Sequence, residues 1–197
     1  NMSEYDFTAK AMEYMNYIGE NLQDRGRENG DKNQHDATIE WIKSELKAAG
    51  YTDDQVVDQV KDEGGFPLNN IVVTVPGEDD SKQIIVGAHF DGDGVGDNGS
   101  GTALLLATAT GLQGKKPHYT TKYVFFDGEE EGMLGSSMNV MEMSDDEVKN
   151  TIYMINMDAI AFGDYANIYG GLNTGYDKYL MDENSDKIPP MTDAYYF

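Results

Sequence analysis

Three short apolar runs in this chain each end in residue types that commonly bind metal ions. The runs, with the polar residues that follow them, are 84–88 with His89 and Asp91, 123–126 with Glu129, Glu130 and Glu131, and 151–157 with Asp158. Each run is rich in β-branched and aromatic residues, which is typical of a buried β-strand. Ligands of open α/β sheets bind beyond the carboxyl ends of the strands. The pattern therefore predicts that these polar side chains converge at one edge of a sheet.

Helical patterns alternate with the strands. Apolar residues recur at helical spacing over Phe7–Leu22, and again from Ile39 to Ala49, with Asp36 before and Gly50 after the second helix. Further helices are predicted at Gly101–Leu112, Leu134–Met141 and Asp145–Lys149, the last opened by Ser144. Further strands are predicted at Gln55–Val60 and Asn70–Val75, with 83–89 beside the latter and 120–127 following. The alternation predicts a three-layer α/β/α domain with a mostly parallel central sheet.

Length and charge narrow the range of functions. With 197 residues the chain can bury a core without disulfides, and 1–197 is expected to form one domain. The net charge is −22, and nucleic acids and anionic membranes need clusters of Lys and Arg, so we exclude both as partners. No apolar run is long enough to span a bilayer. The first residue, Asn1, suggests a processed or trimmed start, from which an earlier signal segment could have been removed.

Cysteine is absent, which restricts any metal site to His and carboxylate ligands. Thiolate chemistry and disulfides are excluded for the same reason. The compartment is left open by this composition.

The glycine-rich loop after the first run matches a dinucleotide-binding fingerprint at Gly94–Gly99. That fingerprint binds a pyrophosphate through backbone amides at a helix N-terminus. Here Asp91, Asp93 and Asp97 would place three negative charges against it. We therefore reject nucleotide binding.

The same loop begins like a calcium-binding loop, with Asp91, Asp93 and Gly96 at its first, third and sixth positions. Val95 and Thr102 stand at the fifth and twelfth positions, where oxygen donors belong. A calcium loop of this kind is not expected.

The order and spacing of the polar motifs resemble those of the di-zinc aminopeptidases typified by bacterial leucyl aminopeptidase. The same fold occurs in glutamate carboxypeptidase, glutaminyl cyclase and the transferrin receptor ectodomain. The resemblance covers roughly residues 34 to 170 and rests on His89-Phe90-Asp91, Asp97-Asn98-Gly99-Ser100-Gly101, Glu129-Glu130-Glu131-Gly132-Met133-Leu134-Gly135-Ser136 and Asn156-Met157-Asp158.

The resemblance implies a zinc exopeptidase fold and a peptide substrate. It implies that Asp97 bridges two zinc ions, that His89 and Asp158 complete one site, and that Glu130 belongs to the other. Two such ions acidify a shared water and polarise the scissile carbonyl. An extracytoplasmic or secreted location is a further implication.

Two more residues receive roles from the resemblance. Glu129 is expected to act as the general base, taking the proton of the water and passing it to the leaving amine. Asp91 is expected behind the metal ligands, where it would bond the second ring nitrogen of His89 and fix its tautomer.

One ligand of the family pattern, a His near the carboxyl end of the domain, has no counterpart, because no His follows His118. The strand leading to Glu129 would place His118 roughly 30 Å away, at the opposite edge of the sheet. The sequence alone does not exclude His35. We favour the interpretation that the chain is a fragment lacking the carboxyl-terminal part of the domain.

The second zinc site has two further interpretations. The ion could be held by Asp97, Glu130 and water, so that one or two zinc ions are bound, or a partner chain or second copy could cover the missing region. A glutaminyl-cyclase-like acyltransferase and a non-catalytic metal-binding or interaction domain are the alternatives to an aminopeptidase.

Overall fold

The computed structural model describes residues 5–26, 32–63, 66–161 and 193. Its helices are α1 (Phe7–Asn21), α2 (Lys32–Ala49), α3 (Gly99–Gly111), α4 (Leu134–Met141) and α5 (Asp145–Asn150). Its strands are β1 (Val56–Glu63), β2 (Phe66–Val75), β3 (Asp79–His89), β4 (Tyr119–Phe126) and β5 (Thr151–Asn156). Within these ranges no helix has both the length and the apolar character needed to cross a membrane.

The five strands form one sheet in the order β1-β2-β4-β3-β5. Strand β3 runs parallel to both β4 and β5, whereas β2 is antiparallel to β1 and to β4. The α/β class is therefore confirmed, with a mixed sheet. Because β3, β4 and β5 are parallel, their carboxyl ends at His89, Phe126 and Asn156 lie at the same edge.

The predicted pairing of β2 with β3 is wrong, because β4 lies between them. Helix α3 connects β3 to β4, and such a crossover returns the chain to a parallel neighbouring strand. The sequence pattern identified the strands, but their order depends on which connections cross over.

Several element boundaries also differ from the predicted ones. Helix α2 begins at Lys32, so Asp36 lies inside it and contacts the ring of His35 at 3.2 Å instead of capping the helix. Helix α3 begins at Gly99, because the side chain of Asn98 accepts the amide of Gly101 and caps it. Residues 162–192 and 194–197, which include the end of the region covered by the resemblance, lie outside the described residues.

Helices cover both faces of the sheet. On one face α1, α2 and α3 form the main core, and α3 is buried along most of its length because it contacts the sheet and both of the other helices. On the other face Val124 and Phe126 pack with Ile85 and Met154, and helices α4 and α5 contact β2 and β3 there. Successive side chains of β4 point to opposite faces of the sheet. Tyr123 and Phe125 therefore pack in the main core, and Val124 and Phe126 pack in the second one.

Helix α5 begins with a capping box. Ser144 and Glu147 exchange side-chain to backbone hydrogen bonds, and Lys122 of β4 contacts the Glu147 carboxylate at 2.9 Å. The Ser144 amide and Lys122 are the main contacts that lower the pKa of Glu147 from 4.5 to about 2. The contact between Lys122 and Glu147 therefore joins the first turn of α5 to β4.

We predict that Glu147→Gln lowers the free energy of unfolding by about 0.5 kcal/mol at pH 7, because glutamine keeps an acceptor for the Ser144 amide but loses the charge that faces Lys122. Because the folded-state pKa lies below the unfolded value of 4.5, this stabilisation is complete above that pH and is lost as the pH falls toward 2. Urea unfolding at pH 7 and at pH 3 measures the difference. Glu40→Gln, at an exposed position of α2, is the control, and an equal loss at both pH values would contradict the assignment.

Candidate metal centre

His89 is the last residue of β3, and its ring is enclosed by carboxylates. Its side chain is 1% exposed. Atom Nε2 lies 3.3 Å from Asp97, 3.5 Å from Asp158 and 3.8 Å from Glu129. Neither ring nitrogen has a hydrogen-bond partner among the residues that the structure describes. A buried imidazole surrounded by acceptors and bonded to none of them is unusual, because buried polar atoms are nearly always paired.

The spacing of these atoms matches a metal site. Ligand atoms at about 2.0–2.2 Å from a tetrahedral zinc ion lie about 3.3–3.5 Å from one another. The distances from His89 to Asp97 and Asp158 are in this range and exceed those of good hydrogen bonds. The donor set of one imidazole nitrogen and several carboxylate oxygens also suits zinc. The residues therefore fit the ion that the sequence motifs imply.

Two overlapping groups of ligand atoms are compact enough to hold an ion. One consists of His89, Glu129 and Asp158, and the other of His89, Asp97 and Glu130. All five residues expected at the site are thus brought together from the ends of three parallel strands. The grouping differs from the division that the resemblance implies, because Glu129 lies here among the ligand atoms.

Asp91 is fully buried beside His89 and joins two of the segments. Its Oδ1 accepts the amide of Glu129 and its Oδ2 accepts the amide of Glu130, both at 3.1 Å. The same Oδ1 lies 3.6 Å from Nδ1 of His89, which is longer than a hydrogen bond. In this structure Asp91 therefore holds the backbone of the two glutamates, in addition to facing the histidine.

The Asp158 segment is fixed against the start of α3. Asn98 donates from Nδ2 to the Met157 carbonyl at 2.9 Å, and its Oδ1 accepts the amide of Ala159 at 3.2 Å. A Cβ at Gly101 would overlap the Met157 carbonyl oxygen, so only glycine permits this approach. These contacts fix the backbone on both sides of Asp158, whose carboxylate lies 3.5 Å from Nε2 of His89.

The turn that carries Glu129 and Glu130 is anchored by a buried polar network. Asp127, which is fully buried, contacts Nε2 of His35 at 2.8 Å and accepts the amide of Asn69 at 2.9 Å. Asn70 accepts the amide of Asp127 and donates to the Gly135 carbonyl. The network ties α2 and β2 to both ends of the turn.

His35 and His118 are therefore separate from the carboxylate cluster. The Nε2 of His35 is engaged with Asp127, and neither histidine belongs to a group of metal-ligand geometry among the described residues. His118 is 67% exposed and lies near Glu78, before β4. Its predicted position at the amino-terminal edge of the sheet agrees with this placement.

Charge crowding shifts the pKa values of the site. Burial raises the pKa of Glu129 to about 8, and it also raises that of Glu130. Burial lowers the pKa of His89, but the carboxylates of Asp158, Asp91 and Asp97 outweigh this and hold it well above 6.5. His89 in turn lowers the pKa of Asp97. Several carboxylates thus surround one imidazole, and a bound cation would relieve their mutual repulsion.

Two residues near the site were not predicted. Asp193 is fully buried, its pKa is raised by burial to about 7, and its charge raises the pKa of Glu129 further. Arg25 is buried behind the loop that follows β3. No local pattern marks either one, because both are far from the motifs in sequence.

The part of the chain that carries these motifs matches a known protein family. The profile of Peptidase family M28 matches residues 70–195, which is more than half of the chain. This chain belongs to Peptidase family M28. Within that family, the chain is 32% identical over 113 residues to leucine aminopeptidase 2 of Trichophyton rubrum, covering 55% of this chain and 23% of the relative. The chain thus spans about a quarter of that relative's length.

Solved structures share the fold of this M28 chain. A Zn-dependent exopeptidase from Parabacteroides distasonis superposes with a TM-score of 0.67 at 21% identity, over 86% of this chain and 66% of that one. A glutaminyl cyclase from Porphyromonas gingivalis gives 0.68 at 21% identity, over 84% and 64%. The fold alone therefore does not separate a peptidase from a cyclase.

We predict that His35→Leu destabilises the protein by about 2 kcal/mol, because it removes the imidazole partner of the buried Asp127 carboxylate. Asp36→Asn alters the other, exposed contact of the same ring and should change stability by less than about 0.5 kcal/mol. Urea unfolding at pH 7 measures both. Equal effects of the two substitutions would show that the buried pair does not anchor the turn.

Proposed function

We propose that this chain carries the metal centre of a zinc-dependent exopeptidase, an aminopeptidase that releases amino-terminal residues from peptides. The observation that carries the proposal is the buried imidazole of His89, which has no hydrogen-bond partner and lies 3.3 to 3.8 Å from three carboxylates. Membership of Peptidase family M28 supports peptide hydrolysis as the class of reaction.

Four side chains are proposed to hold zinc. His89 and Asp158 would bind one ion, Glu130 would bind a second, and Asp97 would bridge the two. The bridging role of Asp97 is the one that the resemblance implies, and its carboxylate faces His89 at 3.3 Å from the loop before α3. With fewer ligands than the complete family pattern, the chain is proposed to bind one or two ions.

Zinc, when bound, supplies Lewis acidity that acidifies a water molecule and polarises a carbonyl group. Glu129 is the proposed general base, accepting a proton at its carboxylate and returning it to the departing amine. Its backbone amide is bonded to Asp91, so the carboxylate is presented from a fixed turn. The burial of Glu129 also keeps bulk water from its carboxylate.

The excess of carboxylates supports an amine-bearing substrate. A peptide with a free amino terminus carries a positive charge, which a cluster of acidic groups attracts. The similarity to a leucine aminopeptidase agrees with this choice. An extracytoplasmic location remains part of the proposal and rests on the resemblance alone.

Zinc should bind and stabilise the folded chain. At a free zinc concentration 100 times the dissociation constant, binding to the native state adds about 2.7 kcal/mol to the free energy of unfolding. We predict that zinc raises the melting temperature of the wild type and of His118→Gln, and that His89→Gln abolishes the rise. The exposed His118 is the matched control for binding to surface carboxylates. An equal rise in His89→Gln would place the ion elsewhere.

Hydrolysis should depend on Glu129. We predict that Glu129→Gln lowers kcat for leucyl-p-nitroanilide by about 10²–10⁴-fold, the usual contribution of a general base. Asp93→Asn, at an exposed position of the neighbouring loop, should retain activity. The assay is made with this chain and with any longer protein of which it is part.

The products distinguish the alternatives. Release of an amino-terminal residue supports the aminopeptidase. Pyroglutamate formation from a peptide with amino-terminal Gln would instead show a cyclase. Zinc binding without either reaction would contradict the enzyme proposal and leave a metal-binding domain.

A further inference from the structure

Arg25 is a fully buried arginine whose guanidinium donates only to backbone carbonyls in the described structure. It donates to the carbonyls of Phe90 at 2.7 Å and Gly94 at 2.9 Å, and to that of Leu22. Burying a guanidinium is costly unless its donors are satisfied. The contacts therefore couple the segment between α1 and α2 to the loop after β3.

Backbone contacts reinforce this coupling. The amide of Arg25 donates to the Gly92 carbonyl at 3.0 Å, and the amide of Gly94 donates to the Gln23 carbonyl at 2.7 Å. Asp24 and Asp93 form a short antiparallel bridge between the same segments. Residues 22–25 thus run alongside 90–94, with the Arg25 side chain spanning the two ends of the loop.

This loop controls the position of most of the candidate site. It carries Asp91, which holds the amides of Glu129 and Glu130, and it leads directly to Asp97. A shift of the loop would therefore move carboxylates from two strand ends at once. Contacts behind metal ligands commonly change metal affinity by about 10–100-fold when they are removed.

The positive charge of Arg25 has the opposite effect on the affinity for a cation from its contacts with the loop. Burial lowers the pKa of its guanidinium, and nearby carboxylates oppose that effect; they belong to Asp91, Asp93, Asp24 and Asp97. Arginine keeps its proton in proteins, so the site retains this positive charge. By Coulomb repulsion alone, removing that charge would make a dication bind more tightly.

We propose that Arg25 is a positioning residue for the metal centre, which fixes the carbonyls of Phe90 and Gly94. Asp91 is thereby held against the amides of the two glutamates, and Asp97 is held in ligand geometry. This inference rests on the proposed zinc site. Positioning and simple charge effects predict opposite signs for the change in zinc affinity, which makes the two roles separable.

The test compares Arg25→Met with Lys43→Met. Both remove one positive charge, but Lys43 pairs with Asp58 between α2 and β1, in a different part of the fold. Zinc affinity is measured by competition with a chromophoric chelator, and hydrogen exchange of residues 90–97 is measured in the metal-free proteins. We expect Arg25→Met to bind zinc at least about ten-fold more weakly and to exchange faster in this loop, with Lys43→Met close to wild type.

Unchanged or tighter zinc binding in Arg25→Met, with unchanged exchange in the loop, would overturn the inference. If the methionine variant does not fold, Arg25→Lys provides the same test, because one ammonium group cannot reproduce the guanidinium fork. It should bind zinc about three-fold or more weakly than wild type, and wild-type affinity and exchange would overturn the proposal.

Failure of the proposed function has a different signature. A wild type that binds no zinc refutes the zinc site itself, whereas the exchange of residues 90–97 in the metal-free proteins still reports whether Arg25 fixes the loop. The two results are therefore independent.

Discussion

The structure depends on holding several carboxylates around one buried imidazole. His89 lies at the end of β3 with acidic groups from three segments within 3.8 Å. Burial, together with repulsion from neighbouring carboxylates, raises the pKa of Glu129 to about 8 against the opposing charge of His89. The rest of the fold supplies the rigidity that keeps the groups together: parallel strands, a capped α3 and buried polar contacts behind each loop.

Some of the residues that hold the acidic loops in place lie outside the region matched by the family profile. The M28 profile begins at residue 70, yet Arg25 and His35 contact the two loops that carry the acidic residues. Helices α1 and α2 therefore complete the site as well as the core. The amino-terminal part of the chain that the structure describes therefore contacts the candidate site from behind its acidic residues.

The strand-end motifs made much of this predictable. His89, Asp97, Glu129, Glu130 and Asp158 each follow an apolar run or lie in the loop behind one, and parallel strands bring such ends together. The order of the strands was not predictable in full, because the β2–β4 pairing depends on a long-range choice between neighbours. Arg25 and Asp127 act through backbone carbonyls and buried partners that have no periodic pattern, so only coordinates reveal them.

The central claim is that the carboxylates around His89 form a zinc site. Anomalous scattering at the zinc edge, measured on crystals grown with zinc, locates the ion directly. We expect a peak at about 2.0–2.2 Å from Nε2 of His89, with carboxylate oxygens of Asp97 or Asp158 at similar distances. An ordered peak at surface carboxylates, with the His89 cluster empty, would contradict it.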